Sequence, residues 1–297
     1  MIIVYLDQCA VSYLALRQPP QWTIIREMLE EGFKEEQIVC PFPPETLLET
    51  ASCRDRALRL AIEAFFSQVS AGFRFRDFGE LIIENSVALF RPDFEVEPLE
   101  RINFHGWASR DDVALSLKDF HDGGCERMRG IISQHSYPPE AKEMCLDEIF
   151  RHAAMERSGA LWRDLGQFSK GVRSKGGFEL PWLIEGLIKY RMSNSEADRL
   201  REAVRRGKWA EIMENKIELL LASRWNHDVL HGQRPTYHPN DEIDRWRAVV
   251  ALSRSDLFLT DKYMAGLCGR VKPIQGLPAK VIPVNRPDEI IRFLQLN

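Results

Sequence analysis

Apolar and polar positions divide the chain into two ends with an α/β pattern and a long middle with a helical one. Ile2 to Leu6 is a short continuous apolar run rich in β-branched and aromatic residues, the pattern of a strand buried on both faces of a parallel sheet. The run ends at Asp7. A second run, Gln37 to Cys40, stops at Pro41, Pro43 and Pro44, which cannot continue a hydrogen-bonded ladder but can lead into a helix. From near Glu45, a helix is predicted: Leu47, Leu48, Ala51, Leu58, Ala61, Ile62, Phe65 and Phe66 recur at helical spacing, with Arg54, Asp55, Arg56 and Arg59 on other faces.

Between Gly72 and Tyr237 the periodicity is mostly helical, with amphipathic stretches around Val113 to Ser133, Pro139 to Phe168, Leu180 to Tyr190, Ser195 to Arg206 and Lys208 to Trp225. Strand signals are scarce there. Breaks fall at Asp122-Gly123-Gly124, at Tyr137-Pro138-Pro139 and in the glycine-rich, basic segment Ser169 to Gly177. The α/β pattern then returns. Asn240 to Ser253 reads as a helix with Ile243, Val249, Val250 and Leu252 toward the core, Asp256 to Thr260 as a strand ending at Asp261, and Lys280 to Val284 as another strand. Arg286 to Leu294 carries a proline and acids in its first turn and an apolar stripe, as a closing helix should. The expected fold is α/β, a central parallel sheet flanked by helices. Residues 1–71 and 236–297 would form one discontinuous domain, with a mostly helical insertion over 72–235.

Composition fits this picture. Hydrophobic residues make up 44% and charged residues 28%, ordinary for a globular chain of 297 residues and against a largely disordered one. With 40 Lys+Arg against 44 Asp+Glu the formal net charge is -4, so a polyanionic partner must be held by a local basic patch or a bound metal ion. Cys9, Cys40, Cys53, Cys125, Cys145 and Cys268 are scattered without a CxxC pair, which suits reduced thiols in a cytoplasmic protein. The opening MIIVYLDQC has no basic region before its apolar run and meets a charge at Asp7, against a signal peptide. No apolar run approaches the length of a membrane span, so a soluble protein is expected.

Two strands that each end in an aspartate, Asp7 and Asp261, point to one rim, because ligands of open parallel sheets bind beyond the carboxyl ends of strands. Helices add further acids. Glu45 and Glu49 share a face at i,i+4, and Asp241 and Asp244 share one at i,i+3. Clustered carboxylates repel one another, and a hard divalent cation such as Mg²⁺ or Mn²⁺ resolves the repulsion. Against this stands the common role of such an aspartate as a helix cap.

The ordered set Val4-Tyr5-Leu6-Asp7-Gln8, Glu49-Thr50-Ala51 after a strand, Asp244-Arg-Trp-Arg-Ala248-Val-Val-Ala251 on a helix, and Leu259-Thr260-Asp261-Lys262 at a strand end resembles the PIN-like domain superfamily. The resemblance covers the two chain ends, less than half of the length. It implies a central parallel sheet and an acidic quartet, here Asp7, Glu49, Asp244 and Asp261, that binds Mg²⁺ or Mn²⁺ and hydrolyses phosphodiester bonds. RNA is the substrate of many members, and some are toxins that pair with an antitoxin protein. Asp241 competes with Asp244 for the third position and Glu45 stands beside Glu49. The insertion is much larger than small PIN toxins need. Thr260 is a candidate for orienting a ligand or phosphate.

Lys170, Arg173 and Lys175, with the basic run from Arg199 to Lys208, are candidate phosphate contacts, though charge runs are also ordinary solvated faces. Trp209, Trp225 and Trp246 stand where they could stack on bases but at spacings usual for core residues. His227 and His231 lack the glutamate of HExxH and a third ligand. No GxSxG elbow, Walker loop or GxGxxG after a strand is present, and no second aspartate follows Asp7 at the spacing of phosphoaspartyl phosphatases. Two expectations result: a cytoplasmic metal-dependent ribonuclease, with RNA, an antitoxin or a second copy of itself as partner and no membrane association, or a non-catalytic PIN-like module that binds RNA or protein.

Overall fold

The computed structural model describes residues 1–43, 45–46, 50, 55–76, 217–225, 239–271 and 276–296, with scattered positions between 78 and 101 and at 193 and 195. Along the chain these form β1 (Ile2–Leu6), α1 (Gln8–Leu16), α2 (Pro20–Lys34), β2 (Ile38–Val39), α3 (Arg56–Val69), β3 (Phe73–Phe75), β4 (Leu99–Arg101), α4 (Ile217–Arg224), α5 (Pro239–Arg254), β5 (Leu257–Thr260), α6 (Lys262–Cys268), β6 (Lys280–Pro283) and α7 (Pro287–Leu296). Both ends of the chain build one four-stranded sheet in the order β2-β1-β5-β6. Every neighbouring pair in it is parallel, with Ile2 level with Ile38, Leu6 with Leu259, and Leu259 with Ile282.

The strands alternate in what they bury, as a pleated backbone requires. Val4, Leu6, Leu257, Leu259 and Ile282 enter one core with residues of α1, α2, α3 and α7, including Val11, Trp22, Phe65 and Ile290. Tyr5 and Phe258 enter the opposite core with residues of α4, α5 and α6, including Leu221, Val249 and Met264. The result is a helix–sheet–helix sandwich, the arrangement that lets a parallel sheet hide both faces. Contact between α2 and β2 is close enough that a Cβ on Gly32 would lie 2.5 Å from Ile38 Cδ1.

The α/β class and the parallel sheet expected from the hydrophobic pattern are present, and three further features go beyond that reading or differ from it. First, α1 and α2 fill the stretch between β1 and β2. Second, the helix expected to run from Glu45 is interrupted. Glu45, Thr46 and Thr50 are helical, but Asp55 is extended and its carboxylate accepts the Leu58 N–H at 3.1 Å, so a new helix, α3, starts there. A helix interior cannot hold the extended backbone that an N-cap needs. Third, strands occur inside the region read as helical: β3 and β4 form an antiparallel ribbon, tied to the sheet edge where Phe42 exchanges backbone hydrogen bonds of 2.9 and 3.0 Å with Phe73 and Phe75. The rest of the expected insertion, beyond residue 101, lies almost wholly outside the described residues. Among the described residues no helix is long and apolar enough to cross a membrane.

Asp256 fastens the two chain ends together. Its carboxylate accepts the Ile3 N–H at 2.8 Å, its own N–H donates to the Ile3 carbonyl at 2.8 Å, and its carbonyl accepts the Lys280 N–H at 2.8 Å. Replacing Asp256 with Ala should leave the Ile3 N–H without its acceptor and cost about 1–2 kcal/mol. Urea denaturation would read this as a lower midpoint with an unchanged slope; an unaltered midpoint would show that the clasp contributes nothing.

Candidate functional site

β1 connects outward to β2 on one side and β5 to β6 on the other, so the sheet reverses its strand order between β1 and β5. At such a point the connecting segments diverge and leave a crevice beyond the carboxyl ends of the strands. Asp7 follows β1 directly and Asp261 follows β5. The Asp7 N–H donates to the Leu259 carbonyl at 3.0 Å, which places Asp7 level with Thr260 and one residue short of Asp261. The shared rim expected from the two strand ends is therefore real.

Both aspartates are also helix caps. Asp7 Oδ1 accepts the Gln8 N–H at 2.7 Å at the start of α1, and Asp261 Oδ1 accepts the Met264 N–H at 2.8 Å at the start of α6. A carboxylate has lone pairs for about four hydrogen bonds, so capping fixes its direction without exhausting it. Thr260 is fully buried, and its hydroxyl donates to Asp7 Oδ2 at 2.6 Å, holding the carboxylate from its other side.

α5 supplies the next two groups. Arg247 Nη1 lies 3.2 Å from Asp7 Oδ1 and 3.9 Å from Asp244 Oδ1, so one guanidinium stands between acids from different elements. Glu45 is buried as well, and its Oε2 accepts the Tyr5 hydroxyl at 3.1 Å. Tyr5 and Asp7 are two residues apart on extended backbone and so share a side of the sheet, the side that faces α5.

Three titratable groups on separate elements sense these charges. Burial raises the Tyr5 hydroxyl well above its ordinary value; Glu45 and Asp7 raise it further and Arg247 opposes them. The Cys9 thiol is pushed up by burial, then by Asp7 and Asp261. Burial also pushes the Cys268 thiol up, to about 12, with Asp244, Asp7 and Asp261 adding to it and its own backbone hydrogen bond opposing. Both shifts favour the thiol over the thiolate, and Asp7 and Asp261 contribute to each.

Asp7, Asp244, Asp261, Thr260 and Glu45 thus gather at the β1–β5 rim. Glu49, Lys170, Arg173 and Lys175 lie outside the described residues, as do His227 and His231. Asp241 is within α5, but its side chain is not described; Asp244 is the acid that reaches Asp7 through Arg247. Trp225 is buried, and Trp246 stacks on Phe78 with centroids 5.8 Å apart. Sequence reasoning missed Arg247 and Tyr5. Their signals were there: Arg247 is one turn from Asp244, and Tyr5 is two residues before Asp7.

The donors suit a hard divalent cation chemically, being carboxylate oxygens already oriented by hydrogen bonds. Their packing is that of a cluster neutralised by arginine. Among the described residues no three or more His, Cys, Asp or Glu side chains are grouped as a metal ion requires, and Arg247 stands near both Asp7 and Asp244. Compared with protein-family models, curated proteins and solved structures, the chain matches none.

Two outcomes follow from this geometry. Thr260→Val preserves shape but removes the donor to buried Asp7 Oδ2, and should destabilise the fold by about 1–3 kcal/mol in chemical denaturation; a wild-type midpoint would mean the hydroxyl carries no weight. The second concerns pH. An unfolded thiol ionises near about 8.5, whereas folded Cys268 keeps its proton to about 12. Its contribution to stability is therefore complete below the unfolded value and is lost as pH rises toward the folded one. Cys268→Ala should make the fall in stability between about pH 8 and pH 10 shallower, as measured by urea midpoints. An equally steep fall in the variant would count against a raised thiol pKa.

Proposed function

We propose that this chain is a PIN-like, Mg²⁺- or Mn²⁺-dependent nuclease that hydrolyses phosphodiester bonds in RNA. The observation that carries the proposal is the convergence of Asp7, Asp244 and Asp261, from three different elements, at the strand-order reversal of a parallel sheet. The resemblance in the order of the acidic motifs supports the same reading and is what favours RNA as substrate and an antitoxin as partner.

In this reading Asp7, Asp244 and Asp261 would hold the divalent ion, with Glu45 or Glu49 completing the set. When bound, such an ion neutralises charge on the scissile phosphate and acidifies the attacking water. Thr260 fixes the Asp7 carboxylate, and the caps of α1 and α6 fix the directions of Asp7 and Asp261. Tyr5 holds Glu45 from beneath. No side-chain nucleophile is needed, and burial with the neighbouring acids disfavours the thiolates of Cys9 and Cys268.

A second reading, a non-catalytic PIN-like module, is favoured by one observation: Arg247 already neutralises Asp7. The two separate on a single variant. Asp7→Asn keeps the side-chain shape and removes the carboxylate charge, so the nuclease reading expects folded protein, at least about a hundredfold loss of Mn²⁺-dependent RNA cleavage, and weaker Mn²⁺ binding. Cleavage at the wild-type rate by Asp7→Asn would remove Asp7 from the chemistry. Wild-type protein that neither cleaves a panel of RNA and DNA substrates nor binds Mn²⁺ would leave the module as the correct reading.

A further inference from the structure

Asp244 and Arg247 reach the rim from α5, while the two residues between them, Arg245 and Trp246, face another way. At about 100° per residue, Asp244 and Arg247 share one side of the helix and Arg245 and Trp246 the opposite one. That second side grips Phe78. The Trp246 ring stacks on Phe78 with centroids 5.8 Å apart and planes 12° from parallel, and the Arg245 guanidinium lies over the same ring, 5.1 Å from its centroid. Arg245 also donates to the Ala222 carbonyl of α4 at 3.5 Å. Phe78 and Ala222 are buried, and Arg245 has no measurable exposure.

Burial makes this grip specific in position. A guanidinium keeps its charge at any pH the fold survives, so inside the core it needs groups such as the Phe78 face and the Ala222 carbonyl in place of water. α5 is packed along its length, with Ala248, Val249, Val250 and Ala251 buried as well. A displacement imposed on one side of so closely packed a helix is passed to the other. Phe78 follows β3 and Ala222 lies in α4, so both grips come from the stretch that reads from sequence as an insertion.

We propose that Phe78 is a positioning residue for the rim: held by Arg245 and Trp246, it sets where α5 presents Arg247 and Asp244 to Asp7. Through Phe78 and Ala222 the inserted stretch then acts as a buttress of the site. The coupling concerns the protein's own ion pair, Arg247 Nη1 to Asp7 Oδ1 at 3.2 Å, and is independent of whether the rim binds a metal ion.

Hydrogen exchange of arginine side chains, followed in nitrogen-15 spectra of the full chain, tests this, with Arg247→Lys identifying the Arg247 signal by removing it. Phe78→Leu keeps apolar bulk but loses the flat ring, and should speed exchange of the Arg247 guanidinium at least about threefold while sparing Arg26. The control is Phe65→Leu in the opposite core, where Arg26 lies over the Phe65 ring at 5.2 Å; it should act on Arg26 and spare Arg247. Should Phe78→Leu fail to fold, Trp246→Phe narrows the same stack and carries the test with the same expectation. Unchanged Arg247 exchange in the folded variant, or a rise that Phe65→Leu produces equally, would overturn the proposal. Neither result touches the nuclease reading, which stands or falls on Asp7→Asn.

Discussion

The pairing of β1 with β5 is the constraint on which the rest of the structure depends. These strands come from opposite ends of the chain, with 253 positions separating Ile3 from Asp256, and yet they lie side by side in register. Closing so long a loop costs more than closing a short one, but only logarithmically. The return is a central strand pair buried on both faces: Val4, Tyr5, Leu6, Leu257, Phe258 and Leu259 have no measurable exposure. Both cores are organised around that pair, since the strands send alternate side chains into each. The pairing also decides where charge accumulates. Residues that are distant in sequence and follow the two strands are forced to the same rim, whatever the intervening chain does.

Electrostatics at that rim would be unfavourable if the acids stood alone. Burying carboxylates next to one another raises the free energy of the ionised cluster unless hydrogen bonds and opposite charge compensate. The structure supplies both. Backbone N–H groups of Gln8 and Met264, the hydroxyls of Thr260 and Tyr5 and the guanidinium of Arg247 all direct positive polarity at these acids. Asp7 and Asp261 in turn add to the burial that pushes the Cys9 and Cys268 thiols up.

Different parts of this structure were legible in the sequence to different degrees, for physical reasons. Continuous apolar runs ending in an acid identified β1 and β5, because a strand buried on both faces leaves no polar positions to obscure it. α1 was harder to see: Gln8 to Leu16 is apolar nearly all round, with mean burial on one face and exposed Tyr13 and Leu16 on the other, so its helical period is weak. The stretch from Glu45 to Phe66 shows a helical period in the sequence, which does not reveal that Asp55 is extended and starts a new helix. The antiparallel ribbon was masked by its charge. Arg74 pairs with Glu100 across the strands, and Arg76 with Glu84, so residues that look like a solvated helix face are in fact cross-strand and inter-segment partners. At the rim, the acids were legible from position and their neutralising partner was not. A lone arginine on an amphipathic helix carries no mark of the carboxylate that it will meet after folding.

That asymmetry bears on how an acidic cluster should be interpreted when metal and arginine can both satisfy it. If Arg247 served structure alone, the acids around it would need only to be neutralised, and a guanidinium fork reaching two carboxylates at once would be the stable end point. The contacts are uneven instead, with Asp7 at 3.2 Å and Asp244 at 3.9 Å, and Asp261 oriented by its own helix cap. Arg247 thus stands closer to the acid at the end of β1 than to the one on its own helix. Any ligand that binds the folded chain alone stabilises it by mass action, and at this rim it would meet a carboxylate that Arg247 and Thr260 already hold.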